Sequence, residues 1–176
     1  FRSAYGSVNT FIAMMAAEAD IASAGLFFMV GTVFIFISRP FGGRLLDSKG
    51  ALAAVLPGGI FYTVALVLIV SAASLPMLLA ASVFYGLGAG LLLPALMTWM
   101  LNVVRADRRS AASATFYNML DVGTSSGIIV LGSLAGSIGY AAMYRYVLLL
   151  MLCFLAFALL QKFFHSPERL ADAKEN

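Results

Sequence analysis

Residues 39–50, RPFGGRLLDSKG, carry Arg39, Arg44 and Lys49 with a single acid, Asp47, between two apolar stretches that are each long enough to cross a bilayer. Basic residues in short segments beside membrane helices are retained in the cytoplasm during insertion. The stretch is therefore expected to be a cytoplasmic loop whose side fixes the direction of every span around it.

The composition of the 176 residues agrees with this reading. Apolar residues make up 62%, charged residues 11%, and mean hydropathy is +0.97, against roughly 45–50% apolar and about 25% charged in soluble domains. An all-α integral membrane protein follows. The net charge of +3 and pI of 9.2 come from positive residues beside apolar spans, which membrane topology alone requires, so no nucleic-acid partner is expected. Cys153 is the one cysteine and lies in an apolar run. It is read as an inert packing residue, with no disulfide framework or metal cluster. The chain opens at Phe1 inside an apolar stretch, without an initiator Met or a charged leader, and is read as a fragment or processed half.

Cutting at charges, Gly/Pro clusters and a length of about 20 residues gives six transmembrane helices. They cover about 1–17, 21–38, 51–72, 77–104, 110–137 and 141–164, and a polar tail covers 165–176. Glu18 to Asp20 form an acidic turn, Ser74 and Pro76 an uncharged one, and 105–109, RADRR, a second basic loop. Placing the start, both basic loops and the tail inside leaves Arg145 alone outside among the eleven basic residues. The C-terminus is then cytoplasmic.

Helices in lipid need small residues for close contact, because lipid tails are as apolar as Leu. Gly86 with Gly90, Gly123 with Gly127, and Gly132 with Gly136 form GxxxG rows, read either as static packing or as sliding interfaces. The run Gly86-Leu87-Gly88-Ala89-Gly90 lies within a span, so a phosphate loop is excluded by context. With no nucleophile and base or metal set in view, the chain is not expected to be an enzyme and needs no cofactor.

Polar residues inside the spans carry the sharper argument. Asp121 falls about 15 Å into the fifth span at 1.5 Å per residue, near the middle of a core roughly 30 Å thick. A carboxylate there faces protein or water, and burial favours its protonated form, which suits a group that takes up and releases a proton. The alternative is that it satisfies backbone groups or a neighbouring Arg and never titrates. Tyr117, Asn118, Thr124 and Ser125 share its face, and Tyr5 with Asn9 makes an i, i+4 pair on the first span; both sets are candidate cavity linings. Tyr62 and Tyr85 are read as packed residues with satisfied hydroxyls, and Trp99, Tyr144 and Tyr146 as an interfacial aromatic belt.

Gly43-Arg44-Leu45-Leu46-Asp47-Ser48-Lys49-Gly50 resembles the G-x-x-x-D-x-x-G cytoplasmic motif of the major facilitator superfamily, with Ser48 where a basic residue is usual. The resemblance continues through Tyr5-Gly6-Ser7-Val8-Asn9-Thr10-Phe11, Ser38-Arg39-Pro40, Tyr85-Gly86-Leu87-Gly88 with Pro94, and Ala114-Thr115-Phe116-Tyr117 with Asp121-Val122-Gly123, which are similar to drug-efflux and arabinose-efflux-permease members. It implies the C-terminal half of a twelve-helix fold, built from two inverted three-helix repeats, in an inner (plasma) membrane. The missing N-terminal six-helix half is the expected partner. Arg39, Gly43, Arg44, Asp47 and Gly50 are expected to form a cytoplasmic gate motif.

The implied activity is proton-coupled efflux of small amphipathic compounds by alternating access. It is driven by the proton gradient, with Asp121 carrying the proton and Tyr5, Asn9, Tyr117, Asn118 and Ser125 facing substrate. Uptake of a sugar or organic acid is the alternative. A non-transporting scaffold that dimerises through its glycine rows is a third reading.

Overall fold

Long apolar runs with few breakers can satisfy their backbone groups in lipid only as helices, and the computed structural model, which describes residues 1–18 and 25–164, contains helices alone among the described residues. They are α1 (Arg2–Glu18), α2 (Gly25–Lys49), α3 (Ala51–Val70), α4 (Leu75–Val103), α5 (Arg109–Ile138) and α6 (Tyr140–Phe164), with a 3₁₀ turn at Ala106–Arg108. The remainder of the expected acidic turn after Glu18, and the tail from 165, lie outside the described residues. Five helices, α2 to α6, are long and apolar enough to cross a membrane. The 17 residues of α1 reach about 26 Å at 1.5 Å per residue, somewhat short of a core about 30 Å thick.

The expected loop at 39–50 is corrected by the structure: α2 runs through it to Lys49, and Gly50 alone joins α2 to α3. Arg39, Gly43, Arg44 and Asp47 are therefore helical residues. The charges do not break the helix here, because Leu45 and Leu46 are partly buried against the core, which holds this end of the helix down. The Ser48 hydroxyl donates to the Arg44 carbonyl at 2.7 Å, and the Gly50 amide to the Leu46 carbonyl at 3.0 Å. The chain then reverses at Gly50 with φ +79°, a conformation that a residue without Cβ adopts without strain.

α4 packs on α3 and α2, α1 packs on α5 and α6, and α3 packs on α6. Glycines set the closest of these approaches. A Cβ at Gly86 would lie 2.7 Å from the Phe34 Cβ on α2, one at Gly88 would lie 2.7 Å from the Tyr62 backbone nitrogen on α3, and one at Gly127 would lie 2.6 Å from the Ser3 Cβ on α1. Gly136 has nothing within 4 Å. The rows are internal packing contacts at Gly86, Gly90 and Gly127, leaving little of them open to a second molecule.

Three further expectations are revised. Tyr144 is fully buried and donates to the Ser7 carbonyl at 3.1 Å across α6 and α1, so it is core rather than belt, while Tyr146 is exposed. Cys153 is exposed on α6 and not packed. Arg2, counted with the cytoplasmic ends, lies deeper than that: neighbouring Phe1 stacks edge-on to Tyr62 in the middle of α3 at 5.3 Å, and Ser3 donates to the Gly123 carbonyl in the middle of α5 at 2.8 Å.

Overpacking a tight helix contact costs about 1–3 kcal/mol. Gly88→Ala is expected to lower the melting temperature of the detergent-solubilised protein, whereas Gly136→Ala leaves it unchanged or slightly raised. Equal melting of the two variants would contradict the packing described.

Candidate functional site

The middle of the bundle holds a layer of aromatic and polar side chains from α1, α3 and α4. Tyr5 stacks on Tyr85 with ring centroids 6.0 Å apart and planes 18° from parallel, and Tyr85 lies 5.6 Å from Tyr62. Such offset ring contacts contribute about 0.5–1.5 kcal/mol beyond area burial. The Asn9 amide donates both to the Tyr5 carbonyl, 2.9 Å, and to the Tyr85 hydroxyl, 3.0 Å. The first bond returns to the backbone of its own helix four residues earlier, and the second joins α1 to α4. Tyr62 is buried and its hydroxyl has no hydrogen-bond partner among the described residues, so the expectation of a satisfied hydroxyl fails there. Tyr85 fits it.

Arg2 sits beside this layer. Its guanidinium carbon lies 5.0 Å from the centre of the Tyr5 ring, and its Nε is buried without a hydrogen-bond partner among the described residues. A cation over an aromatic face is attracted by the ring quadrupole. A cavity of about 90 Å³ opens here, lined by Arg2 and Tyr5 from α1, Ile35 and Arg39 from α2, and Ala89, Leu93 and Pro94 from α4. Arg39, expected only as part of a gate motif, is thus a wall residue of this cavity. Its guanidinium lies 5.6 Å from the Phe36 ring centre.

The sequence-derived candidates on α5 share one stripe. Tyr117, Asn118, Asp121 and Ser125 stand at i, i+1, i+4 and i+8, and all four are exposed. Their hydrogen bonding separates them from the other hydroxyls of the helix. Thr115, Thr124, Ser126 and Ser133 each donate to the carbonyl four residues earlier, at 3.0, 2.8, 2.6 and 2.9 Å. Backbone bonding of this kind lets a hydroxyl reside in an apolar span. Asn118, Asp121 and Ser125 have no partner among the described residues, and the Tyr117 hydroxyl meets only the Met97 sulfur at 3.6 Å. Val122 and Ile129, also exposed, border the stripe within about 40° of Asn118 at roughly 100° per residue, and exposed Val130 lies about 120° from Asn118 on the adjoining apolar face.

Asp47 and Arg44 are exposed on the last turns of α2. Among the described residues the one ion pair joins Arg105 and Asp107, 3.5 Å apart and exposed, so Asp47 and Asp121 pair with no arginine within the described chain. Of the gate residues, Arg39 lines the cavity beside the mid-bundle layer, while Arg44 and Asp47 lie further along α2, on its last turns. Arg2 was missed as a cavity residue because topology counting assigns a basic residue to a membrane side without regard to depth. A cation three residues before an aromatic on one helix face was the available signal.

A neutral hydrogen bond contributes about 1 kcal/mol net. A double-mutant cycle on the melting equilibrium, Asn9→Ala with Tyr85→Phe, is expected to give a coupling of this size, and strictly additive effects would show that the α1–α4 bond is not made.

A family model described as Major Facilitator Superfamily matches residues 2–176. No curated protein matched the chain. With nearly the whole length matched, and with five apolar helices of spanning length in the structure, the chain belongs to the major facilitator superfamily, a family of membrane transporters.

Proposed function

We propose that this bundle is one half of a proton-coupled exporter of small amphipathic compounds, with Asp121 as the proton-carrying group. Tyr5, Asn9, Tyr117, Asn118 and Ser125 face the permeating molecule. The observation that carries the reading is the unmatched polar stripe of α5. A carboxylate and a carboxamide midway along a spanning helix are too costly to leave in hydrocarbon, and neither finds a partner within the described chain, so that face meets water, solute or another bundle.

The two-repeat architecture is supported by the packing. Exchanging α1 with α4, α2 with α5 and α3 with α6 turns the α1–α5 contact into α4–α2, turns α1–α6 into α4–α3, and leaves α3–α6 unchanged. A repeat of three spans begins on the opposite side of the membrane from the one before it, so the two repeats are inverted. The partner is an N-terminal six-helix half against which this one rocks, in a plasma membrane with the C-terminus in the cytoplasm. Export over import rests on the resemblance to efflux members. Dimerisation through glycine rows is disfavoured, since Gly86, Gly90 and Gly127 are already filled by α2 and α1. Organic-acid transport gains support from the arginines beside the cavity.

The test uses the assembled transporter in proteoliposomes with an imposed pH gradient. Asp121→Asn is expected to lower gradient-driven flux at least about tenfold while exchange without a gradient persists, as a site that cannot shed its proton requires. Unchanged gradient-driven flux in a fully assembled variant would remove Asp121 from the coupling.

A further inference from the structure

We infer that the cavity between α1, α2 and α4 binds the anionic headgroup of the transported compound, so that the substrate class is an amphipathic organic anion, a carboxylate foremost. This rests on the reading of the chain as a transporter and adds the chemistry of its cargo.

Arg2 and Arg39 line one cavity from two different helices. Neither has a carboxylate partner among the described residues. Two guanidiniums that share a wall with no counter-charge repel each other, and the Arg2 Nε is already out of contact with any acceptor. Leaving a buried donor unmade is costly, and the cost is relieved when an acceptor arrives. A carboxylate supplies two coplanar oxygens that match the guanidinium fork, and it neutralises charge at the same time.

The remaining walls fit the rest of such a molecule. Ile35, Ala89 and Leu93 are apolar, and Tyr5 lines the cavity beside them. The volume of about 90 Å³ is several times the roughly 10–15 Å³ that one water needs. That accommodates a headgroup, with an apolar tail extending out of the cavity.

Arg2 and Tyr5 are also held ready. The Tyr5 ring beneath the Arg2 guanidinium is fixed by stacking on Tyr85. Pre-ordered side chains lose less entropy when the anion binds.

The test measures binding of benzoate and of its uncharged isostere benzamide to the assembled transporter in nanodiscs by isothermal titration. Wild type is expected to bind benzoate at least tenfold tighter than benzamide. Arg2→Gln and Arg39→Gln should each bring benzoate down towards the benzamide level, and Arg2→Lys should recover part of the preference. Equal binding of the two compounds by wild type, which needs no variant to fold, would overturn the assignment. So would a benzoate preference that survives both substitutions in folded protein. Nanodiscs of phosphatidylcholine and of phosphatidylglycerol should give the same benzoate affinity, and its loss in phosphatidylglycerol would assign the cavity to a lipid headgroup and overturn the substrate reading. Should the anion preference fail while gradient-driven flux still depends on Asp121, the transporter reading stands without it. A silent Asp121→Asn with the arginine dependence intact would leave the anion site in place and remove only the coupling.

Discussion

Charged and hydrogen-bonding groups inside an apolar bundle have to be matched by protein or by water, and the arrangement of the side chains follows from how each group meets that demand. Thr115, Thr124, Ser126 and Ser133 return their protons to their own helix. Tyr144 reaches the Ser7 carbonyl, and Asn9 reaches Tyr85. These groups are closed within the chain. Arg2, Asn118, Asp121 and Ser125 are not. Arg2 and Asp121 lie near one level of the bundle, since Ser3, beside Arg2, bonds the carbonyl of Gly123, two residues beyond Asp121. A family of transporters has use for such residues, because a solute crossing the membrane must exchange its water for protein groups at some depth, and groups unmatched within the chain can supply them.

Packing restricts what can move. Gly86 and Gly90 bring α4 against α2, and Gly88 brings it against α3, at separations that leave no room for a methyl group. Helices that close are hard to slide past one another, because interiors at this density switch between discrete arrangements rather than deform smoothly. On the proposed two-bundle reading, motion during transport falls between bundles and not inside this one. The one-residue junction at Gly50 also couples α2 tightly to α3, so Arg44 and Asp47 on the last turns of α2 move with the helices that line the cavity.

Helix number and placement were legible in the sequence because hydropathy over about 20 residues measures the same transfer energy that decides insertion. Residues 39–49 belong to α2 instead of a loop. That segment was misread because charge reports which side of a membrane a segment occupies and says nothing about backbone conformation. Leu45 and Leu46, one pair among charged neighbours, needed a packing partner to be recognised. The stripe at Tyr117, Asn118, Asp121 and Ser125 was legible from the helical period, and the structure adds that Asn118, Asp121 and Ser125 are unmatched among the described residues. Arg2, Arg39 and Tyr144 were not legible in their roles. Each depends on which helix lies opposite, a relation between distant segments that no local window contains.

The central claim is that the α5 stripe around Asp121 is wetted while the adjoining apolar face is not. With Cys153 replaced by serine, single cysteines at Asn118 and at Val130 would be exposed to a membrane-impermeant, water-borne thiol reagent in proteoliposomes of the assembled transporter. The account predicts rapid modification at 118 and none at 130. Equal inertness at both positions would place Asp121 against lipid and contradict it.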